Sequence, residues 1–353
     1  MARPDPPTDF HPHPHLRLLL PSSTPPIHLE ARLYLPTPLP PSIKTHANIL
    51  GEYSTVPKKL EDIDSGLRDA LRDLGIERVV VASHPWGRLG GDMLDPVITS
   101  HLISAIYHPY HSTTTDPSSI EGSNPNPNPN ETIDLNNAST AAAAASSAGA
   151  AAGAGGPGGV EPNKADLSAK TAVISYNVRG VGLSGGSQPW IGVGNDPEDF
   201  AHIERLGTAL MGDSVREVFR YGYSWGSLLA TLAPVPTDSS TTPLKKTLLV
   251  SPPITIFKGL TFFSSNKFHS ALTNLSRALS SVSIPNEGQR PVVWVVYGNK
   301  DNFTGPGAYA HFKSEMEEKE GVVRCFEVED ADHLWRRDEG EKLREIIRDW
   351  LDA

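Results

Sequence analysis

The sequence has little cysteine, no long apolar run and fewer basic than acidic residues. Cys325 is its only cysteine, so no disulfide can form within the chain and a reducing compartment is expected. Because no run of about 18 apolar residues occurs, we expect no membrane span. The N-terminus lacks a signal-peptide pattern, and the ending WLDA matches no lipidation or peroxisomal signal. These absences together predict a cytoplasmic protein.

The balance of charge argues against one large class of partners. The 353 residues include 31 Lys and Arg against 41 Asp and Glu, which gives a net charge of −10. Such a surface repels phosphate backbones, so we expect no nucleic-acid partner. A small-molecule substrate is the expected partner, and the sequence leaves the oligomeric state open.

Proline and glycine are abundant, but they are concentrated in a few segments. Residues 1–14 are rich in Pro and His and predict a flexible tail. Residues 108–168 contain NPNPNPN followed by a long Ala, Gly and Ser tract. With few large apolar side chains this segment cannot offset its ordering entropy. We therefore expect one domain over residues 15–353, interrupted by a disordered low-complexity insertion at 108–168.

Outside those segments, apolar β-rich runs alternate with helical patterns. Asp95-Pro96 and Asp196-Pro197 are typical of helix starts. Several runs are apolar nearly throughout, as strands buried on both faces require. The order predicts an α/β fold with a mostly parallel eight-stranded sheet and helices on both faces, its first two strands forming an antiparallel hairpin. The predicted strands are Leu16–Leu20, Ile27–Leu35, Arg78–Ser83, Ala172–Asn177, Val215–Tyr221, Thr247–Ser251, Val292–Tyr297 and Val323–Val328.

The strongest chemical signal is Gly222-Tyr223-Ser224-Trp225-Gly226, which lies between a predicted strand and a predicted helix. A nucleophile at such a sharp turn needs a strained backbone, and the two glycines lack the Cβ atoms that would collide there. The helix N-terminus behind the serine favours negative charge. The pattern predicts Ser224 as an activated nucleophile, and the alternative is a Gly/Ser turn without chemistry.

With this motif the chain resembles the serine-nucleophile branch of the α/β-hydrolase superfamily. It is similar to the small, little-capped, esterase-like members with an HP-x-G loop, here His84-Pro85-Trp86-Gly87. The resemblance covers nearly everything except the tail and the insertion. It implies the α/β-hydrolase fold and no metal or organic cofactor. It also implies that an acid, and then a histidine, follow the nucleophile in the sequence.

The sequence supplies both residues at the ends of strands. No Asp or Glu occurs between Ser251 and Asn286, whereas Asp301 follows the next predicted strand, so we predict Asp301 as the acid. Its alternative role is a helix cap. His333 follows the last predicted strand and is the predicted base. The neighbouring Asp332 is interpreted as structural, because adjacent side chains rarely point at each other.

Two glycine-containing loops accompany these residues. By the resemblance, the oxyanion hole takes one N–H from Trp225 and one from Trp86 or Gly87, and the choice between the last two stays open. Gly180 and Gly182 belong to a G-x-G-x-x-G match, which is typical of dinucleotide sites only when a helix begins at once. No helix is predicted there, and the loop is similar to the superfamily's R-G-x-G-x-S loop, which implies a tight structural turn.

Aromatic residues outside these motifs suggest a pocket. Trp190, Phe262 and Phe263 are candidates to line it, although core packing explains them equally well. The sequence predicts a serine hydrolase that cleaves a carboxylic ester or thioester of a small to medium substrate through an acyl-enzyme on Ser224. The alternatives are a lyase or acyltransferase using the same three residues, or a non-catalytic binding protein on this fold.

Overall fold

The computed structural model describes residues 14–46, 57–107, 169–190, 192–235, 244–254, 264–281, 292–317, 323–336 and 338–353. The predicted tail, except for Pro14, and the whole predicted insertion at 108–168 lie outside the described residues. The helices and strands below all fall within one compact unit.

The described residues form a nine-stranded mixed sheet. Its strands are β1 (Leu16–Pro21), β2 (His28–Tyr34), β3 (Lys58–Lys59), β4 (Arg78–Ser83), β5 (Thr171–Tyr176), β6 (Glu217–Tyr223), β7 (Leu244–Val250), β8 (Val292–Gly298) and β9 (Val323–Val328). The spatial order is β3-β1-β2-β5-β4-β6-β7-β8-β9. Strand β2 pairs antiparallel with β1 and β5, and the other pairs are parallel. The predicted hairpin and mostly parallel sheet are confirmed.

The ninth strand is the one that the sequence did not predict. Strand β3 has two residues and pairs with β1 at the sheet edge. Two residues are too few to produce an alternating pattern, so periodicity could not reveal it. The amphipathic stretch Leu60–Leu74 predicts a single covering helix, but the structure is different. A 3₁₀ turn at Leu60–Asp62 precedes a shorter helix at Ser65–Arg72, which begins where the Asp64 carboxylate accepts the Leu67 N–H at 2.7 Å.

Helices cover both faces of the sheet, as predicted. They are α1 (Pro41–His46), α2 (Ser65–Arg72), α3 (Ser104–Tyr107), α4 (Asp196–Met211), α5 (Trp225–Leu232), α6 (Ser264–Ser281), α7 (Pro306–Glu317) and α8 (Glu339–Asp352). A π-helix at Val97–Ile103 leads directly into α3. None of the helices among the described residues is long and apolar enough to cross a membrane.

Alternating side chains of the strands divide the core into two layers. In β4, Val79 and Val81 belong to the layer that contains helices α1, α2 and α4 to α7. Val80 and Ala82 belong to the other layer, which the π-helix, α3 and α8 complete. Strand residues are therefore buried on both faces, which explains the nearly continuous apolar runs in the sequence.

A buried arginine fixes the strand that leads into the Ser224 turn. Arg220 on β6 is fully buried and forms a bidentate ion pair with Glu204 on α4, at 2.6 and 2.7 Å. Its other terminal nitrogen, Nη1, donates to the carbonyl groups of Ala230 and Ala233, at 3.1 and 2.9 Å. Because a buried charge is tolerated only when it is paired and hydrogen-bonded, this network ties β6, α4 and the end of α5 together.

Candidate active site

Ser224 lies at the sharp turn between β6 and α5. Its backbone adopts φ 52° and ψ −116°, an uncommon conformation for a residue with a side chain. A Cβ on Gly222 would lie 2.5 Å from the Gly226 carbonyl oxygen, and one on Gly226 would overlap the Ser83 carbonyl. Close backbone packing thus requires glycine at both positions, for the reason that the sequence pattern suggested.

The structure brings Ser224, His333 and Asp301 into one hydrogen-bonded chain. His333 Nε2 is 2.9 Å from Ser224 Oγ, and His333 Nδ1 is 2.8 Å from Asp301 Oδ2. All three are buried, with exposed fractions of 8%, 4% and 2% respectively. Since a carboxylate only accepts, Nδ1–H donates to Asp301 and leaves Nε2 to accept the serine proton. The arrangement can therefore activate the hydroxyl.

Asp301 is held by donors on both of its oxygens. Oδ1 accepts the N–H groups of Phe303 and Thr304 at 2.8 and 2.9 Å. Oδ2, which faces His333, is also 3.1 Å from the Tyr309 hydroxyl. Burial raises the pKa of Tyr309 well above its ordinary value, so this phenol stays protonated and able to donate. Sequence reasoning missed Tyr309, because a tyrosine inside a helical pattern carries no signal of what it faces.

The loop that carries His333 is fixed at three points. The Tyr223 hydroxyl donates to the His333 carbonyl at 2.9 Å, and the Phe303 ring stacks on the imidazole with centroids 4.3 Å apart. The Asp332 carboxylate accepts the N–H groups of Leu334 and Trp335 at 2.8 and 2.9 Å. Asp332 therefore closes a turn instead of serving the imidazole, which agrees with the structural role predicted for it.

The loop after β4 is anchored by a neutral histidine. His84 is fully buried, its Nδ1–H donates to the Pro85 carbonyl, and its Nε2 accepts the Val178 N–H at 3.1 Å. Burial lowers the pKa of His84 to about 4, so the ring is uncharged near neutral pH. His84 thus connects the loops after β4 and β5 and has no contact with Ser224 that would make it a second base.

The two candidates for the second oxyanion donor lie in different surroundings. Trp86 lines the pocket beside Ser224, and its ring stacks on Trp225 with centroids 5.1 Å apart. Gly87 is not among the residues that line this pocket, and a Cβ there would overlap the Val181 side chain. Neither observation concerns the direction of the backbone N–H groups, so the choice between Trp86 and Gly87 stays a prediction.

The G-x-G-x-x-G match forms a tight turn. Gly180 and Gly182 have φ values of 72° and 56°, and the Gly180 N–H donates to the Gly185 carbonyl at 3.1 Å. The following helix, α4, begins only at Asp196. A dinucleotide fingerprint needs a helix opening at the turn, so the geometry supports the structural interpretation.

A pocket of about 250 Å³ lies against the serine. Aromatic and aliphatic side chains dominate its wall, and besides His333 its charged residues are Asp95 and Arg336. Trp190, which was a candidate lining residue, is placed elsewhere: it is 80% exposed, and the Arg88 guanidinium lies 3.8 Å above its ring. Phe262 and Phe263 lie outside the described residues. The lining residues are Pro85, Trp86, Leu89, Gly90, Gly91, Asp95, Tyr223, Ser224, Trp225, Pro253, Phe303, His333, Leu334 and Arg336.

Known proteins match this chain in fold and not in sequence. No protein-family model and no curated protein matches it. A protein of unknown function from Agrobacterium tumefaciens, named as a candidate α/β-hydrolase, has a TM-score of 0.50 at 10% identity, over 96% of this chain and 95% of its own.

Two further solved structures are similar at slightly lower scores. An α/β serine hydrolase homologue from Coxiella burnetii has a TM-score of 0.49 at 14% identity, over 95% of this chain and 97% of its own. An α/β serine hydrolase without a lid from Xanthomonas campestris has a TM-score of 0.47 at 14% identity, over 99% of both chains.

The sheet order, the turn at Ser224 and the match to the Agrobacterium structure agree with the fold expected from the sequence. The chain has the fold of the α/β-hydrolase superfamily.

Proposed function

We propose that this chain is a serine hydrolase that cleaves carboxylic esters or thioesters through an acyl-enzyme on Ser224. The observation that carries the proposal is the buried hydrogen-bonded chain from Ser224 Oγ through His333 to Asp301, with contacts of 2.9 and 2.8 Å. It lies at the wall of a pocket, so a carbonyl carbon can approach the hydroxyl.

In the first half of the proposed reaction, Ser224 Oγ attacks the carbonyl carbon while His333 Nε2 takes its proton. Asp301 holds the ring through Nδ1 and stabilises the imidazolium. The N–H group of Trp225 and that of Trp86 or Gly87 donate to the alkoxide of the tetrahedral intermediate. His333 then returns the proton to the departing alcohol or thiol, and the acyl group stays on Ser224.

In the second half, water replaces the departed group. His333 Nε2 takes a proton from the water as its oxygen attacks the acyl carbon. Collapse of the second tetrahedral intermediate breaks the bond to Ser224 Oγ, which recovers its proton from His333. The carboxylic acid leaves, so each turnover consumes one ester and one water. If an alcohol or amine replaces the water, the same residues perform acyl transfer.

The pocket supports a substrate of small to medium size. Its volume of about 250 Å³ lies just below the range that is usual for ligand sites, and its wall is mainly apolar. Stacked Trp86 and Trp225 form one side, and Phe303 covers the imidazole on another. We therefore expect short acyl or aryl esters to react faster than long-chain ones.

Labelling with a fluorophosphonate probe, followed by intact mass, tests the nucleophile. We expect the wild-type chain to gain one adduct, Ser224→Ala to gain none, and Ser187→Ala, a control at an exposed serine, to label like wild type. Wild-type protein that is folded by circular dichroism and stays unlabelled would contradict the proposal and favour a binding protein on this fold.

A further inference from the structure

Two charged side chains that take no part in the proposed chemistry line the pocket. Asp95 and Arg336 both contribute to the wall that also contains Ser224 and His333. The rest of the wall is formed by aromatic and aliphatic side chains and glycines. A charged group in an apolar wall costs free energy unless it pairs with another group or with a bound molecule. The partners of Asp95 and Arg336 therefore matter.

Asp95 has one oxygen engaged and one available. Its Oδ1 accepts the Val97 N–H at 2.9 Å, and its carbonyl accepts the N–H groups of Ile98 and Thr99 at 2.9 Å each. The side chain thus fixes the start of the π-helix. In the part of the chain that the structure describes, no donor lies within hydrogen-bonding distance of the other carboxylate oxygen. Asp95 lines the pocket, and this oxygen is not among the fully buried polar atoms without a partner, so it can be reached from the pocket.

Arg336 does not neutralise Asp95. No ion pair within 4.0 Å joins the two side chains among the described residues, although the guanidinium is near enough to lower the pKa of Asp95. Arg336 is exposed, whereas Asp95 is half-buried. Because a charge interacts more strongly where less water surrounds it, Asp95 has more to offer a bound molecule than Arg336 has.

We propose that Asp95 is a specificity-determining residue, whose free carboxylate oxygen accepts a hydrogen bond from an ammonium or hydroxyl group of the ester substrate. This proposal rests on the proposed hydrolase function and names its substrate class: esters that carry a hydrogen-bond donor in addition to the scissile group. Apolar walls bind the carbon skeleton, and Asp95 selects the polar end.

The electrostatics of the pocket agree with a cationic or donating partner. Burial is the main cause that raises the pKa of Asp95, and the Asp92 carboxylate adds to it, whereas the Val97 N–H, His333 and Arg336 oppose it; the resulting pKa is about 6. The phenols of Tyr221 and Tyr223 also lie near enough to be affected by Asp95. Near pH 8 the group is an anion whose charge is only partly compensated, and an ammonium would complete the compensation.

The test compares esters that differ only in the donor. The first pair is the 2-(dimethylamino)ethyl and 3-methylbutyl esters of one short acid, and the second is the p-nitrophenyl esters of 6-aminohexanoic and heptanoic acid. Within each pair the shapes match, but only one member carries an N–H⁺. In wild type near pH 8 we expect kcat/KM to favour the ammonium member of at least one pair by about 10-fold, the value of one charge-assisted hydrogen bond.

Asp95→Asn is the decisive variant, because its amide oxygen can still accept the Val97 N–H and preserve the helix start. We expect it to abolish the preference while changing kcat/KM for the uncharged ester by less than about 3-fold. Asp92→Asn removes the same charge from the same loop at a residue that does not line the pocket, and it should keep the preference.

Two results would overturn the assignment of Asp95. One is a wild type that takes the fluorophosphonate label and hydrolyses the uncharged esters but shows no preference in either pair. The other is a preference that survives in Asp95→Asn. Failure of the underlying function is distinguishable, because a chain that is not a serine hydrolase takes no label and turns over neither member of a pair.

Discussion

Asp301 and Asp196 are buried to the same extent, but they differ in their hydrogen bonds. Asp301, in the loop after β8, is 2% exposed, and two backbone N–H groups, His333 and Tyr309 supply donors to both its oxygens. Asp196, at the start of α4, is 1% exposed, and neither of its oxygens has a hydrogen-bond partner among the described residues. The two side chains are equally buried, but both oxygens of Asp301 accept hydrogen bonds and neither oxygen of Asp196 does among the described residues.

The difference shows what burial alone does to a carboxyl group. Burial raises the pKa of Asp196 to about 7, with the Asp199 carboxylate adding to the shift and Arg179 opposing it. The Tyr176 hydroxyl is near enough for Asp196 to raise its pKa, but neither oxygen of Asp196 accepts a hydrogen bond among the described residues, so no donor there stabilises the charged form. A buried aspartate becomes a usable anion only where the fold supplies donors, as the loop after β8 does for Asp301.

The largest expected effect comes from replacing the Asp301 carboxylate, which accepts hydrogen bonds on both oxygens. In Asp301→Asn the amide cannot stabilise the imidazolium and favours the wrong tautomer of His333, so we expect ester kcat/KM to fall roughly 10³- to 10⁴-fold. Steady-state hydrolysis of a p-nitrophenyl ester measures this. The control is Asp330→Asn, which changes the same charge in an exposed pair with Lys300 at 2.7 Å and should keep nearly full activity. A decrease below about 10-fold in Asp301→Asn would contradict the role assigned to that residue.

The second effect is on the free energy of unfolding and involves Asp196. The pKa of Asp196 is 3.8 in the unfolded chain and about 7 in the folded chain, a difference of roughly three units. Between pH 3.8 and pH 7 the folded chain therefore retains a proton that the unfolded chain has lost. The free energy of unfolding therefore falls by about 4 kcal/mol as pH rises through that window. An amide does not titrate in this range, so Asp196→Asn should lack this decrease in the free energy of unfolding.

Urea denaturation at two pH values checks the second effect. The stability of Asp196→Asn relative to wild type should be several kcal/mol more favourable near pH 8 than near pH 4.5. Asp330→Asn, in its exposed pair, should show little change of this kind. An Asp196→Asn difference that is the same at both pH values would mean that the buried carboxyl finds a donor in solution.

The third and smallest effect is on the support of Asp301. Tyr309→Phe removes the hydroxyl 3.1 Å from Oδ2 but keeps the ring that stacks on Tyr297 with centroids 4.0 Å apart. The Tyr309 hydroxyl has one proton, and it also lies 3.0 Å from the Pro252 carbonyl, so the carboxylate receives only part of a hydrogen bond. We therefore expect kcat to fall about 3- to 10-fold with KM nearly unchanged. A larger rise in KM than fall in kcat would show that the variant disturbs the pocket instead of the carboxylate.

Asp95 and Asp196 show how much of a side chain's surroundings the sequence predicts. Asp95-Pro96 and Asp196-Pro197 are the same helix-start pattern, and a helix follows each. The Asp95 side chain accepts the Val97 N–H two residues on, as a helix cap does. The pattern could not tell that Asp95 also faces a pocket, or that Asp196 has no partner among the described residues. Those outcomes depend on residues distant in the sequence, which local propensity does not encode.

The positions of the candidate triad were predictable because chain order carries them. Ser224 follows a strand and precedes a helix, and Asp301 and His333 follow later strands of a parallel sheet, so their side chains meet at one edge. Their catalytic roles stay predictions. Trp190 was beyond this reasoning, because an aromatic residue in a loop gives no indication of which side it faces, and here it packs under Arg88 at the surface.

Trapping the acyl-enzyme tests the central claim most directly. A rapid quench of wild-type protein with a p-nitrophenyl ester, followed by peptide mass analysis, should find one acyl group on the peptide that contains Ser224, formed with a burst of nitrophenol. Asp330→Asn should give the same adduct, and Ser224→Ala should give neither adduct nor burst. An acyl group on another residue, or a burst that persists in Ser224→Ala, would contradict the account.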